Sequence, residues 1–472
     1  MDRTTVVAIT LVAYQVALVA IGFWASGRTR DEEDFFLGGR RLGPLVTAIS
    51  YSSSASSAWT LLGVSGAAYV FGLPVVWIAG GSITGMLVAW FWIGPRLLSQ
   101  THRERQLTVT EFLAGDSAGA ARGRIVLIAS IIVTVSFTFY VAAQFQGAGN
   151  AFSSSFGMSM SSSILLGAGV ILLYTLLGGF WAVCVTDTLQ GLLMALTALV
   201  MPVGAVLAAG GWGAFVEALQ ATGTPAQLSL SGETVGLVLA GMVLGGLSIG
   251  FGTYGQPHLL VRFMALRDLR ALRIARIVTI AWYAVVFTGM CLVGLAGHVL
   301  GLGAANPENV FFSLSDGLFS PVLGGILLAA VLSAIMSTAD SQLLVAASSV
   351  AHDLGLGTRS GLSRLWVSRL SVAAVVLLAI LVALYLPERI FSRVLFAWSA
   401  LGAAFGPIVF FRLAGVRLRD GAVLAAMLTG FGLSVVLYLL PDTPGDVAER
   451  LLPFLVALAV LYLGREKRVL AQ

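Results

Sequence analysis

The sequence predicts an all-α protein that crosses a membrane many times, and three observations carry that reading. Of the 472 residues, 58% are hydrophobic and only 10% charged, against about 25% charged in soluble domains. Mean hydropathy is +0.95, and the apolar residues gather into about thirteen runs close to the ~20 residues that a spanning helix needs. The basic residues fall in alternate gaps between those runs, as they do when arginine and lysine set the topology of a polytopic chain.

The runs are approximately 4–25, 44–70, 73–97, 124–148, 158–177, 180–209, 233–257, 273–300, 319–351, 367–386, 390–412, 421–440 and 450–464. The first follows MDRTT, which has neither a basic stretch nor a cleavage signal, so it reads as a retained span. With the N-terminus outside and the C-terminus cytoplasmic, the inner segments are 26–43, 96–124, 258–276, 352–369, 412–420 and the tail. They hold 23 of the 27 Lys and Arg; the others are Arg3, Arg389, Arg393 and Arg450. The net charge of +5 is thereby explained as topogenic, and nucleic acid is not expected as a partner. Cys184 and Cys291 sit in apolar runs without a CxxC spacing and read as packing residues. His102, His258, His298 and His352 fall in loops or near span ends, which argues against a metallohydrolase.

Two runs look interrupted. The second contains SYSSSASSAW, where six of the eight residues from Ser50 to Ser57 are serine, each able to draw backbone bonds away from a helix. The seventh contains GGLSIGFGTYGQPH, with five glycines ahead of Pro257. Broken spans at corresponding places in two halves are the sequence mark of a transporter's central site. The spacings Gly81/Gly85, Gly241/Gly245 and Gly246/Gly250 permit close helix contact.

The most informative stretch is LLAAVLSAIMSTADSQLLVAASSVAHDL, from Leu327 to Leu354. Ala334, Ser337 and Thr338 stand at i, i+3, i+4, and so do Ser337, Asp340 and Ser341, so one turn offers two oxygen clusters that share Ser337. Hard cations bind oxygens, and an acid inside an apolar span is costly unless it is used. Asp187 and Asp340 are the acids that fall well inside the predicted spans. At 1.5 Å per residue they lie about 10 Å and roughly 16 Å from their cytoplasmic ends.

MSTADSQLL with the following SS and HDL, ISYSSSASSAWTLLG, LGGFWAVCVTDTLQG and GTYGQPH resemble the sodium/solute symporter family, especially its sodium/proline branch, from about Asp34 to Pro407. The resemblance implies a LeuT-like fold of two inverted five-helix repeats, 44–209 and 233–412, in a single transporter domain. An extra N-terminal helix would occupy 4–25 and two C-terminal helices 421–464. It implies a sodium site made by the carbonyls of Ser53, Ser56 and Ala334 and the hydroxyls of Ser337 and Thr338. A second cation position would use Asp187, Ser337, Asp340 and Ser341. The solute site it implies comprises Ser57, Trp59, Tyr140, Gln144, Thr253, Tyr254, Pro257 and Trp398. Three positions depart from the branch: Ala55 replaces Asp, and Ile249 and Thr253 replace the usual Trp and Tyr.

The expected function is sodium-coupled import of a small organic solute across a prokaryotic plasma membrane, with sodium as coupling ion, no other cofactor and a monomer sufficient. The alternative is a proton-coupled symporter using Asp187 and Asp340. A channel would need a continuous polar stripe, and an intramembrane enzyme a nucleophile with its base; neither pattern is present. The expected solute is a zwitterion or monocarboxylate, with proline the leading amino acid. No Arg, Lys or His falls deep in a predicted span, so freed N–H groups near 52–58 and 250–255 would bind its carboxylate.

Overall fold

Backbone polar groups find no partner in hydrocarbon, so apolar runs close their hydrogen bonds within helices. The computed structural model describes residues 2–26, 33, 37–176, 180–302, 305–353, 364–386 and 388–466. Of the basic residues that set the expected orientation, Arg28, Arg30, Arg359, Lys467 and Arg468 lie outside the described residues.

The chain opens with α1, Arg3–Ser26, and continues into a broken helix, α2a Pro44–Ala55 and α2b Trp59–Phe71. Then follow α3 Leu73–Glu104, α4 Gly119–Phe156, α5 Met160–Thr175 and α6 Phe180–Ala208. The second broken helix is α7a Gly236–Gly252 and α7b Pro257–Ala265. After it come α8 Leu269–Val299, α9 Pro321–Ser348, α10 Arg364–Tyr385, α11 Ile390–Leu413, α12 Asp420–Tyr438 and α13 Val447–Leu463. Among the described residues, ten helices are long and apolar enough to cross a bilayer. Helices α5 and α13 have 16 and 17 residues and α2 is in two pieces, so length and composition do not establish the expected count of about thirteen crossings.

Helices α9 and α11 are central, with 83% and 89% of their spanning windows buried, whereas α1 has 22%. Helix α2a packs on α6, α8 and α9, and α7a packs on α3, α11 and α13. The two glycine motifs Gly81/Gly85 and Gly246/Gly250 turn out to face one another. A Cβ at Gly85 would come within 2.5 Å of the Gly250 Cα, and a Cβ at Gly250 would lie 3.1 Å from the Gly85 Cα. Gly241/Gly245 instead receive the backbone of Pro444 and Gly445. Gly85→Val should therefore push α3 and α7a apart at a cost of about 1–3 kcal/mol, read as a lowered melting temperature of the purified protein; an unchanged melting temperature would refute that packing.

Both interruptions have local causes. In α2a, Ser52 Oγ donates to Ala48 O at 2.7 Å and Ser53 Oγ to Ser50 O at 3.2 Å; the helix then stops at Ser56, whose φ/ψ are −107°/67°. The freed Ala58 N–H donates to Gln144 Oε1 at 3.1 Å. In α7, Pro257 forces the preceding residue out of helical geometry, and Gln256 is extended at φ −80°, ψ 105°. Its amide donates to Gly252 O at 3.1 Å and Trp398 O at 3.0 Å. A glutamine side chain thus satisfies backbone groups at each break, as irregular backbone at membrane depth requires.

Segment 258–276, expected as a cytoplasmic segment, begins within a buried helix. Its first part is α7b, a helix with all nine residues buried, and Leu42 pairs with Leu266 just beyond it. Proline at the first helical position restarts the helix. Glu308 accepts the N–H groups of Ile390 at 3.3 Å and Phe391 at 2.9 Å, capping α11.

Candidate substrate and cation sites

The end of α2a meets the middle of α9. Ser337 Oγ lies 3.2 Å from Ser53 O and 3.3 Å from Ala334 O, and Thr338 Oγ1 donates to Ser54 O at 3.0 Å. These groups are fully buried. The carbonyls of Ser53 and Ser54 belong to the C-terminal end of a half-helix, where the macrodipole is negative. Ser56 stands at the break itself, its N–H turned back to Ser52 O at 3.0 Å and Ser53 O at 3.2 Å. The structure thus gathers Ser53, Ala334 and Ser337 at one point, with Thr338 on the next carbonyl.

The second expected cluster is also brought together, around a residue the sequence reading assigned to a loop. Arg262 of α7b is fully buried and its guanidinium lies 2.7 Å from Asp187 Oδ2. It also donates to Ser54 Oγ at 2.6 Å, Ser341 Oγ at 2.7 Å, Ser50 Oγ at 2.9 Å and the carbonyl of His258. Ser54 and Ser341 each donate to Ser337 O at 2.9 Å. Ser341 Oγ is 3.5 Å from Asp340 Oδ1, and Asp340 Oδ2 and Asp187 Oδ1 have no hydrogen-bond partner among the described residues. No Arg, Lys or His was expected deep in a predicted span, yet Arg262 and His258, just beyond the seventh predicted span, are both fully buried. Arginine was read as a topogenic loop charge, yet here its partners are a carboxylate and serine oxygens. The signal was the apolar run PHLLVRFMA directly after a helix break.

Between the two breaks lies a small cavity of about 20 Å³, room for about one water. Four of the expected solute residues line it: Trp59, Tyr140, Thr253 and Trp398. Ala55 and Ile249, two of the three departures from the proline branch, line it as well, and so does the third, Thr253. Ser57 adjoins through its hydroxyl, 3.4 Å from Tyr140 OH. Gln144 acts on the backbone of the break, as above. Tyr254 points elsewhere, against Phe410 at 5.0 Å and Phe454 at 6.3 Å, and Pro257 opens α7b. Neither lines the cavity. Tyr283 and Phe287 of α8 do, and sequence reasoning missed them because nothing in an apolar run marks which side faces inward. Trp59 stacks on Phe391 at 5.9 Å and meets Phe287 at 6.1 Å, while Trp398 Nε1 donates to Ile249 O at 3.0 Å. Among the described residues, no charged side chain lines this space.

Residues 35–430 match the model of the Sodium:solute symporter family. The chain is 34% identical over 465 residues to the High-affinity proline transporter PutP of Bacillus subtilis, covering 93% of this chain and 95% of that protein. It is also 34% identical over 451 residues to the Sodium/proline symporter of Escherichia coli, covering 93% and 88%. Among solved structures, a Na+-coupled sialic acid symporter in a substrate-bound outward-open state superposes with a TM-score of 0.80 at 16% identity over 98% of both chains. Mhp1, a nucleobase-cation-symport-1 family transporter, superposes with a TM-score of 0.58 over 91% of this chain and 94% of its own. The fold is the LeuT-like inverted repeat, and the chain belongs to the sodium:solute symporter family: it is a sodium-coupled solute transporter, not an enzyme.

Proposed function

We propose that this symporter imports a small zwitterionic amino acid, with proline the leading substrate. The observation that carries the reading is the lining of the cavity between the breaks, whose walls must part to admit a solute larger than one water: aromatic and aliphatic walls, hydroxyls from Ser82, Tyr140, Thr253 and Tyr283, and, among the described residues, no charged side chain. A zwitterion balances its own charge, which lowers the cost of holding it there, and apolar walls suit its hydrocarbon body. The buried Arg262 does not alter this, because its charge is tied to Asp187. Two relatives covering most of the chain are named as proline transporters.

Sodium would bind where α2a meets α9, held by the carbonyls of Ser53, Ser56 and Ala334 and the hydroxyls of Ser337 and Thr338. Such an ion would tie the broken helix to α9 and fix the wall that Ala55 and Trp59 contribute to the cavity. A ligand shifts alternating access only by its differential affinity for the two facings. Sodium and solute therefore act together on the closed arrangement, and each inward charge draws about 2.3 kcal/mol per 100 mV. The repeats would be 44–209 and 233–412, consistent with a break in the first helix of each. The N-terminus would face outward and the C-terminus the cytoplasm of a prokaryotic cell, on the arginine distribution. A monomer would be the transporting unit.

The test is uptake into proteoliposomes with and without an inward sodium gradient. Labelled proline should accumulate only with sodium, and unlabelled amino acids should compete. Sodium-stimulated accumulation of a hexose, with amino acids failing even as competitors, would overturn the proposal.

A further inference from the structure

We propose that Arg262 is a built-in cation that fills the second cation position of this symporter, so that the native protein binds one sodium ion where its carboxylates and serines would otherwise hold two. The inference rests on the sodium-site reading above and goes beyond it.

The geometry begins with the oxygens. Asp187 Oδ2, Ser337 O and Ser341 Oγ gather around the Ser54 hydroxyl at 2.9–3.2 Å, with the Asp340 carboxylate 3.5 Å from Ser341 Oγ. Such a set of two carboxylates with hydroxyl and carbonyl oxygens suits a hard monovalent cation. In the structure a cation is already there, and it is covalently part of the chain. The Arg262 Nη2 atom touches Asp187 Oδ2, Ser54 Oγ and Ser341 Oγ at 2.6–2.7 Å, and Nε reaches Ser50 Oγ at 2.9 Å. Those distances belong to charge-assisted hydrogen bonds. A free sodium among the same oxygens would sit against the guanidinium, a like charge in a buried place where attraction and repulsion are both strong.

The break in α7 makes this possible. Helix α7b restarts at Pro257, which brings the side chain of Arg262 to α2a, α6 and α9 at once. The guanidinium is linked to the main sodium cluster through two shared residues. The Ser54 hydroxyl donates to Ser337 O and the Ser54 carbonyl accepts from Thr338 Oγ1, while the Ser337 hydroxyl reaches Ser53 O and Ala334 O. A tethered cation at this place neutralises one carboxylate without being transported.

The experiment counts sodium sites directly, by binding of radioactive sodium to the purified full-length protein without solute. Its outcome is therefore independent of whether proline is the substrate, which the uptake assay decides. Arg262→Ala should gain one site relative to the native protein, and the Hill coefficient should rise from near 1 toward 2. Arg262→Lys keeps a tethered cation and should show the native count. If the alanine variant is not recovered as folded protein, Arg262→Gln, which keeps most of the side-chain volume, should show the same gain. An unchanged count in the neutral variants, or a gain in Arg262→Lys equal to that of Arg262→Ala, would overturn the proposal. So would two sites in the native protein.

Discussion

Asp187→Asn is expected to cut sodium-driven uptake by at least about tenfold while the protein still inserts in the membrane. Removing a charge makes a span easier to insert, so failure to insert is not the expected fault. The damage comes from the partner left behind. Arg262 is fully buried, and removing one member of a buried ion pair costs about 3–5 kcal/mol, because the other charge then has no counter-ion. A fall of about 1.4 kcal/mol in the population of the competent arrangement already gives a tenfold loss. The serine hydroxyls on Arg262 do not replace the lost charge, and Asp340, which reaches Ser341 at 3.5 Å, would draw the guanidinium away from α6. The double variant Asp187→Asn with Arg262→Gln should regain part of the lost thermal stability, since it removes both charges together. Initial uptake rates and melting temperatures measure both effects. A native rate with native sodium dependence in Asp187→Asn would mean that the ion pair only holds helices together.

Much of this arrangement was legible in the sequence, and the gaps have physical reasons. Apolar runs report helices directly, and the serine-rich stretch marks the break at Ser56 because serine hydroxyls compete for backbone carbonyls, as Ser52 and Ser53 do. The spacing of Ala334, Ser337 and Thr338 put three candidate ligand positions on one helix face, and that face lies on Ser53 and Ser54. Rotation of one helix against another is not written in an apolar run. Thr253 and Tyr254 are neighbours, yet only Thr253 lines the cavity, while Tyr254 packs outward on Phe410 and Phe454. Arg262 was misplaced for another reason. Hydropathy treats each arginine as unpaired, so a short apolar helix carrying one reads as a cytoplasmic loop. Only the fold shows Asp187, 75 residues away in the chain, supplying the counter-charge. The same holds for Gln144 and Gln256, ordinary polar residues until the backbone groups they satisfy are known.

Ser337→Ala should raise the sodium concentration for half-maximal uptake more than any other single hydroxyl loss in α9, by about tenfold. Hydrogen bonds and ligands to a charged group are worth about 1.5–3 kcal/mol, and 1.4 kcal/mol is one factor of ten in affinity. Ser337 outranks its neighbours because its hydroxyl approaches two carbonyls, Ser53 O and Ala334 O, from opposite helices. Thr338 reaches one, Ser54 O, and Thr338→Val keeps its shape while removing the oxygen. Ser333 should matter least: its hydroxyl donates to Ala329 O at 2.7 Å and meets Tyr14 of α1, away from α2a. Combining Ser337→Ala with Thr338→Val should shift the half-saturating concentration by about a hundredfold if the two losses add, with the maximal rate recovered at high sodium. Uptake measured across a sodium series, at constant ionic strength with choline as replacement, separates this from a loss of folded protein, which would lower the maximal rate and leave the sodium dependence unchanged. An unaltered sodium dependence in the double variant would move the coupling ion away from the junction of α2a and α9. The site would then have to be sought elsewhere in the bundle.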